Sequence, residues 1–372
     1  MTVRKPLEAR FGNIEMPERV KPGEFTRIPI VDLTDLSNPS PEARERLAQQ
    51  IYNVATTVGF FYITNHGIPQ DLIDQAHEMA RQYFALPHSI KMEQFAGKRC
   101  NEFIGYVPPL DAMPPYAQEH LRVAGGKRVE AFAMGYEIAA DSQKTQDNRM
   151  PVDQYGLYGP NEWPEGQVLG EFRTTLLRYY AEMLEFSRKL IQIFALALDL
   201  EADHFDEHLN YPGAMCRLMH YLASKPSDKQ EASAIGPHTD IGFFTILSQG
   251  AVPGLQVLNA RKEWIAVPII PGALVVNIGD CLHYWYAYSI VIQFNGLILA
   301  SSNGIFRSTP HRAINLTGDE RYSIPFFFNP DYTVTTQVAD KFVTKERPAI
   351  TEPFIFGEWV NKLMKGANSD AS

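Results

Sequence analysis

Apolar positions along the first third of the chain follow two different periods. Ile28-Pro-Ile-Val-Asp-Leu33 is a short strand-like run, and Phe60-Phe-Tyr-Ile63 is a second, stopped by Asn65-His-Gly67. Between them Leu47, Ile51, Val54 and Val58 recur at intervals of four, three and four residues, which marks one face of a helix over residues 41–58. A second helical pattern covers residues 70–85 and ends before Pro87. From about 103 to 165 the chain is rich in Pro, Gly and aromatic residues without clean periodicity, and irregular structure with short strands is expected. A long helix is predicted from about 170 to 198. Its C-terminal end (Ile191, Ile193, Phe194, Leu196, Leu198) is apolar nearly all round, so burial against a sheet is expected.

From Met215 the texture changes to short apolar runs between turn signals: 215–222, 238–247, 255–258, 264–267, 273–278, 306–316 and 321–329. Many short strands in succession predict a double-sheet β architecture such as a jelly roll. The expected class is α+β, with N-terminal and long central helices packed around that core. The expected divisions are a loosely packed polar arm (1–25), a region of helices and edge strands (26–165), and the long helix with its connection (166–212). The jelly-roll core (213–330) and a C-terminal segment (331–372) follow.

Composition narrows the partners. Of 372 residues, 45% are hydrophobic and 21% charged, with a net charge of -9, which suits a large core and supplies no basic face for nucleic acid. Mild acidity also opposes docking on an anionic membrane. Cys100, Cys216 and Cys281 are scattered and odd in number, so a reducing compartment is expected. No apolar segment follows the charged N-terminus as in a secretory signal. The most apolar uncharged stretch, 284–303, is interrupted by Ser289, Gln293, Asn295 and Gly296, against a membrane span. A cytoplasmic monomer acting on a small molecule is the expectation.

His238-Thr-Asp240 falls in a predicted strand, where residues two apart share a face, so one imidazole and one carboxylate would converge. A third ligand from a distant strand would complete a two-histidine, one-carboxylate set for Fe(II) with positions left open. Alone, His-x-Asp is weak evidence, and a surface turn or a hydrogen-bonded His–Asp pair is the commoner meaning of an isolated match. Pro310-His-Arg312 lies in a later predicted strand, and Arg321-Tyr-Ser323 begins an aromatic one ten residues after His311. Thr317-Gly-Asp-Glu320 reads as a turn that folds the second strand back beside the first. Arg321 and Ser323 then share a face, and a guanidinium beside a hydroxyl suits a carboxylate, although a surface ion pair is the commoner fate of an arginine.

His-x-Asp, a distal His and Arg-x-Ser ten residues later resemble the signature of the isopenicillin-N-synthase-like, 2-oxoglutarate-dependent Fe(II) dioxygenases. The resemblance extends to Gly59-Phe-Phe-Tyr-Ile-Thr-Asn-His-Gly67, Gly254-Leu-Gln-Val257, Pro271-Gly-Ala273 and Val276-Asn-Ile-Gly-Asp280, and covers residues 28–329. It implies a double-stranded β-helix core, with His238, Asp240 and His311 on Fe(II). Arg321 and Ser323, helped by the Tyr221 hydroxyl, would hold the distal carboxylate of 2-oxoglutarate. O2 would be the oxidant and ascorbate an activator. The implied reaction couples oxidative decarboxylation of 2-oxoglutarate to hydroxylation, desaturation or related C–H oxidation. Met219 departs from the pattern, since many relatives carry asparagine there. Tyr106, Phe132, Phe244 and Phe328 resemble the pocket wall, which suits a small apolar or aromatic substrate, though each is equally an ordinary core position. Two alternatives stay open: a 2-oxoglutarate-independent oxidase of the isopenicillin N synthase type, and a non-catalytic jelly-roll binder. His66 and His220 read as core histidines, and nothing in the spacing of His204, His208 and His283 supports a second metal set.

One stretch fits no part of the family pattern. Trp285 is separated from Ser302-Asn-Gly304 by residues 286–301, which carry no charge. The insert reads as a translated intron or as a hairpin about Asn295-Gly296.

Overall fold

The computed structural model describes residues 23–98, 104–114, 128–145, 149–164, 169–223, 235–285, 306–315, 317–336 and 353–369. The insert at 286–301 lies outside the described residues. In chain order the strands are β1 (Ile30–Asp32), β2 (Phe60–Thr64), β3 (Gly105–Val107), β4 (Val129–Met134), β5 (Met215–Tyr221) and β6 (Ile235–His238). They continue with β7 (Phe244–Ser248), β8 (Leu255–Leu258), β9 (Trp264–Ala266), β10 (Leu274–Ile278), β11 (His311–Ala313) and β12 (Arg321–Phe328). One sheet has eight strands in the order β1-β2-β10-β7-β12-β5-β4-β3, a second has four in the order β6-β11-β8-β9, and Thr335–Thr336 and Phe354–Ile355 form a separate two-stranded sheet. Among these, β1 and β2 pair in parallel and the remaining neighbours are antiparallel.

The large sheet sorts its side chains by alternation. Along β12, Ile324, Phe326 and Phe328 join the helix-side core, while Arg321, Ser323, Pro325 and Phe327 face a cavity on the other side. The helix side is covered by three helices. Pro41–Thr57 starts on the Ser40 cap, whose hydroxyl accepts from the Ala43 N–H at 3.3 Å, with proline in the first turn. Gln70–Phe84 is the second. The third, Phe172–Ala197, is buried along most of its length, as its apolar circumference predicts. Its Phe194 stacks 5.4 Å from Phe244, and its Tyr180 meets Phe326 edge-on at 5.2 Å. Each buried ring of this kind contributes about 1.5–3 kcal/mol. No helix among the described residues is long and apolar enough to cross a membrane.

Three expectations need correction. The end of the polar N-terminal stretch is docked, not loose: Gly23 N–H donates to the Thr57 carbonyl, and Asn259 Nδ2 donates to that of Phe25, whose ring is buried. Among the described residues of the run 306–316, only His311–Ala313 is strand. β11 and β12 are not hairpin partners either, because β11 pairs with β6 and β8 while β12 pairs with β5 and β7. The turn at Gly318 therefore carries the chain from one sheet to the other.

A buried histidine in this layer gives the fold a pH dependence. His77, on the helix Gln70–Phe84, lies 2.7 Å from the Ser248 hydroxyl, and burial pushes its pKa down to about 4. The unfolded chain protonates it near the ordinary value of about 6.5. As pH falls from about 6.5 to about 4, the unfolded state binds a proton that the native state refuses, and stability falls by up to about 3 kcal/mol. Above that window the term is constant. His77→Gln should flatten this part of the curve in urea unfolding at pH 7 and pH 5, and an equal loss in both proteins would contradict the assignment.

Candidate metal centre and active-site cavity

His238 is the last residue of β6, and His311, the first of β11, is paired directly across from it. The two rings are 4.3 Å apart. Asp240 is not on a strand. It lies in the connection from β6 to β7, so strand alternation does not aim its carboxylate as expected. The connection is instead folded against the start of the helix Asp280–Trp285. The Asp280 N–H donates to the Asp240 carbonyl at 2.6 Å, the Cys281 N–H to that of Ile241 at 2.8 Å, and the Thr239 hydroxyl to the Asp280 carboxylate at 2.9 Å. A Cβ on Gly279 would stand 2.3 Å from the Gly242 carbonyl, so glycine is required for this approach.

His238, Asp240 and His311 each offer one ligand atom, and these atoms lie within 4.8 Å of one another. Asp240 Oδ1 is 3.6 Å from His238 Nε2 and 3.7 Å from His311 Nε2. Both separations exceed a hydrogen bond, so the three groups do not satisfy each other. The remaining atoms are engaged elsewhere. Asp240 Oδ2 accepts from the Thr245 hydroxyl at 2.5 Å and Asn277 Nδ2 at 2.7 Å. His238 Nδ1 donates to the Gly236 carbonyl at 2.9 Å, and His311 Nδ1 to that of Thr309 at 3.3 Å. With Nδ1 committed as the donor, the deprotonated form of each imidazole keeps its lone pair on Nε2, the nitrogen nearer Asp240 Oδ1.

Electrostatics agree with this donor set. Burial alone would raise the Asp240 carboxyl, but the charges of His311 and His238 and two hydrogen bonds hold it below its ordinary range. Burial pushes the His311 imidazole down, against the pull of Asp240. Two imidazoles, once deprotonated, and a carboxylate fit a divalent ion such as Fe(II), with the cavity side open.

The triad opens on a cavity of about 510 Å³ between the sheets. Arg321 lines it while only 1% exposed, its guanidinium 4.4 Å from the Tyr221 ring centre. Its Nε donates to the Val252 carbonyl at 3.1 Å and its Nη1 to the Ser323 hydroxyl at 3.3 Å. Among the described residues no carboxylate pairs with it. A buried cation left in that state costs several kcal/mol unless a ligand supplies the anion. Met219, on the same wall, is paired opposite Ser323.

Tyr106, Phe132, Phe244 and Phe328, expected on the pocket wall, face the helix layer instead. Tyr106 donates to Glu130 at 2.5 Å, Phe132 packs on Tyr83 and Phe172, and Phe328 packs on Phe244. Strand parity explains this. Phe328 is an odd number of positions from Arg321, so it takes the opposite face, and Phe327 is the residue that lines the cavity. Sequence reasoning also missed Arg217, Thr245 and Asn277, although a lone charge, hydroxyl or amide inside an apolar strand is a legible signal. Phe356 and Val360, from the C-terminal helix, line the cavity without any local signal. His220 is a core histidine, as expected, held to Glu130 at 2.8 Å and stacked on Tyr322.

His283, before the insert, and Phe306, after it, are joined. His283 Nδ1 donates to the Phe306 carbonyl at 2.6 Å, so a short connection suffices between the helix Asp280–Trp285 and the approach to β11. Deleting residues 286–301 should therefore leave metal affinity and turnover within about twofold, since loop length costs only about 0.6 kcal/mol per doubling. A folded deletion variant that lost metal in a calorimetric titration would show that the insert serves the site.

Two family profiles match the chain: the N-terminal region of non-haem dioxygenases in morphine synthesis over residues 28–166, and the 2OG-Fe(II) oxygenase superfamily over residues 213–330. The 2-oxoglutarate-Fe(II) type oxidoreductase hxnY of Emericella nidulans is 35% identical over 315 residues, 82% of this chain and 81% of the relative. The 2-oxoglutarate-dependent dioxygenase tropC of Talaromyces stipitatus is 31% identical over 322 residues, 84% of this chain and 89% of the relative. The fold is shared with a 2OG-Fe(II) oxygenase family protein of Caulobacter crescentus, at a TM-score of 0.71 and 24% identity, covering 92% of this chain and 100% of that one. With the matched profiles, the double-sheet core and the His-Asp-His cluster in agreement, the chain belongs to the 2OG-Fe(II) oxygenase superfamily, as an isopenicillin-N-synthase-like 2-oxoglutarate-Fe(II) type oxidoreductase.

Proposed function

We propose that His238, Asp240 and His311 hold Fe(II), and that Arg321, Ser323 and Tyr221 hold the distal carboxylate of 2-oxoglutarate. The enzyme then oxidises a C–H bond of a small, largely apolar or aromatic substrate with O2, and ascorbate keeps the iron reduced. The observation that carries this reading is that a donor set suited to a divalent ion and a buried arginine, without a carboxylate partner among the described residues, open on one cavity.

The iron, when bound, supplies the oxidative chemistry. The chain's own part is placement. Thr245 and Asn277 fix one oxygen of Asp240, so the other stays free for the metal. Arg321, pinned by Val252 and Ser323, presents a fixed charge at the far end of the co-substrate. Met215, Leu247 and Phe327 make part of an apolar wall that keeps water out and sets which C–H bond lies nearest the metal.

The test is succinate formation from 2-oxoglutarate, followed by NMR with Fe(II) and ascorbate. Succinate should appear with Fe(II) and not with chelated protein, and equal conversion in both would overturn the reading. Oxygen uptake in the absence of 2-oxoglutarate would favour the isopenicillin N synthase type of chemistry.

A further inference from the structure

A second cation on the cavity wall has no task in the reading above. Arg217 sits in the middle of β5, between Cys216 and Leu218, which are buried on the helix side, while Arg217 itself faces the cavity. Its Nε is buried without a hydrogen-bond partner, and among the described residues no carboxylate pairs with its guanidinium. The same chain handles the buried Arg188 very differently. Arg188 is closed by both oxygens of Asp141, at 2.6 and 2.8 Å. Burial pulls the Arg217 guanidinium below its ordinary pKa, opposed by Tyr221 and Asp240. Arg217 as a whole is half-buried, with its Nε shielded from solvent, and a guanidinium fork left unfilled on a mostly apolar cavity wall marks a receptor for an anion.

Position separates this receptor from Arg321. The β5–β12 register puts Tyr221 opposite Arg321 and Met219 opposite Ser323, and Arg217 lies further along the same face, across from Ala133 of β4. Four residues of strand place the Cα of Arg217 roughly 13 Å from that of Tyr221. Around it the wall is apolar, with Met215, Met219, Ile104 and Phe327. The charges of Asp240 and a dianionic keto acid balance those of a divalent ion and Arg321, which leaves Arg217 over.

We propose that Arg217 anchors the substrate, gripping the carboxylate of an otherwise apolar or aromatic small molecule while Arg321 takes the co-substrate. The assignment rests on the function proposed above for its division of labour between the two arginines. It refines the substrate class from apolar to apolar with one carboxylate. Charge at one end and a greasy wall along the rest fix the orientation of the body, and hence which carbon faces the metal.

The experiment is an anaerobic calorimetric titration of the full chain loaded with Fe(II) and 2-oxoglutarate. The probes are aryl carboxylates of rising length (phenylacetate, 3-phenylpropionate, 4-phenylbutyrate), each beside its neutral carboxamide. At least one acid should bind about ten- to a hundredfold more tightly than its amide, the range of a charge-assisted pair. Arg217→Gln should abolish that preference while leaving the dissociation constants of Fe(II) and 2-oxoglutarate within about twofold. Arg217→Lys, which keeps the charge without the fork, should retain part of it, and this guards against a variant that has simply misfolded. No preference in any acid–amide pair, or a preference that survives Arg217→Gln, would overturn the proposal. So would loss of 2-oxoglutarate or iron in Arg217→Gln, since Arg217 would then serve the co-substrate or Asp240. If wild-type protein fails to bind 2-oxoglutarate, the functional reading falls. The probe series on the chain without 2-oxoglutarate then still decides Arg217 by the same acid–amide comparison.

Discussion

Asp240→Ala should abolish tight Fe(II) binding, lowering the affinity by more than about a hundredfold. Partners that merely orient a metal ligand are worth 10- to 100-fold in affinity, and removal of a ligand itself exceeds that. The loss goes beyond one donor atom. Asp240 is the shared neighbour of both histidines, at 3.6 and 3.7 Å, and its anionic charge favours a cation in a buried place. Truncation also strands the Thr245 hydroxyl and the Asn277 amide, which now donate to Asp240 Oδ2, at about 1–3 kcal/mol for each unsatisfied donor. The variant should therefore unfold at lower temperature as well as bind poorly. Thr245→Val separates the two effects, because it leaves the ligand in place and should weaken iron far less. Isothermal titration of Fe(II) under argon reads all three proteins, and wild-type affinity in Asp240→Ala would remove Asp240 from the metal site.

The second large effect is on the co-substrate. Arg321→Lys keeps a positive charge but loses the two-pronged geometry and the donors that now reach Val252 and Ser323. A charge-assisted bond is worth about 1.5–3 kcal/mol, so the 2-oxoglutarate KM should rise about ten- to a hundredfold. Iron affinity should hardly move, since Arg321 is not among the grouped ligand atoms. The split distinguishes a binding role from a structural one. If Arg321 only braced the strand, stability would fall and the KM would not change.

Much of this architecture is legible in the residues themselves. The helix at Phe172–Ala197 is announced by its apolar circumference, and the shared face of Arg321 and Ser323 by their spacing of two. Both rest on local periodicity, which a single chain displays directly. The failures arise where geometry is set from a distance. The largely apolar run 238–247 predicts a strand through Asp240. The chain turns there because the first residues of the helix Asp280–Trp285 hydrogen-bond the carbonyls of Asp240 and Ile241. Nothing near Asp240 in sequence encodes that contact. The aromatic wall failed for another reason. Alternation says that Phe327 and Phe328 point opposite ways, and only an anchor such as Arg321 says which way is inward. Tyr106 and Phe132 lie on strands without such an anchor, and Phe356 and Val360 reach the cavity through tertiary packing alone.

The central claim is that metal and keto acid share one site, with the triad at one end of the co-substrate and Arg321 at the other. Its most direct test is the affinity of 2-oxoglutarate measured anaerobically on the same protein with and without Fe(II). Two-ended attachment predicts at least about tenfold tighter binding with the metal, and this gain should persist in Arg321→Lys and vanish in Asp240→Ala. Equal affinity with and without Fe(II) in the wild-type chain would contradict it.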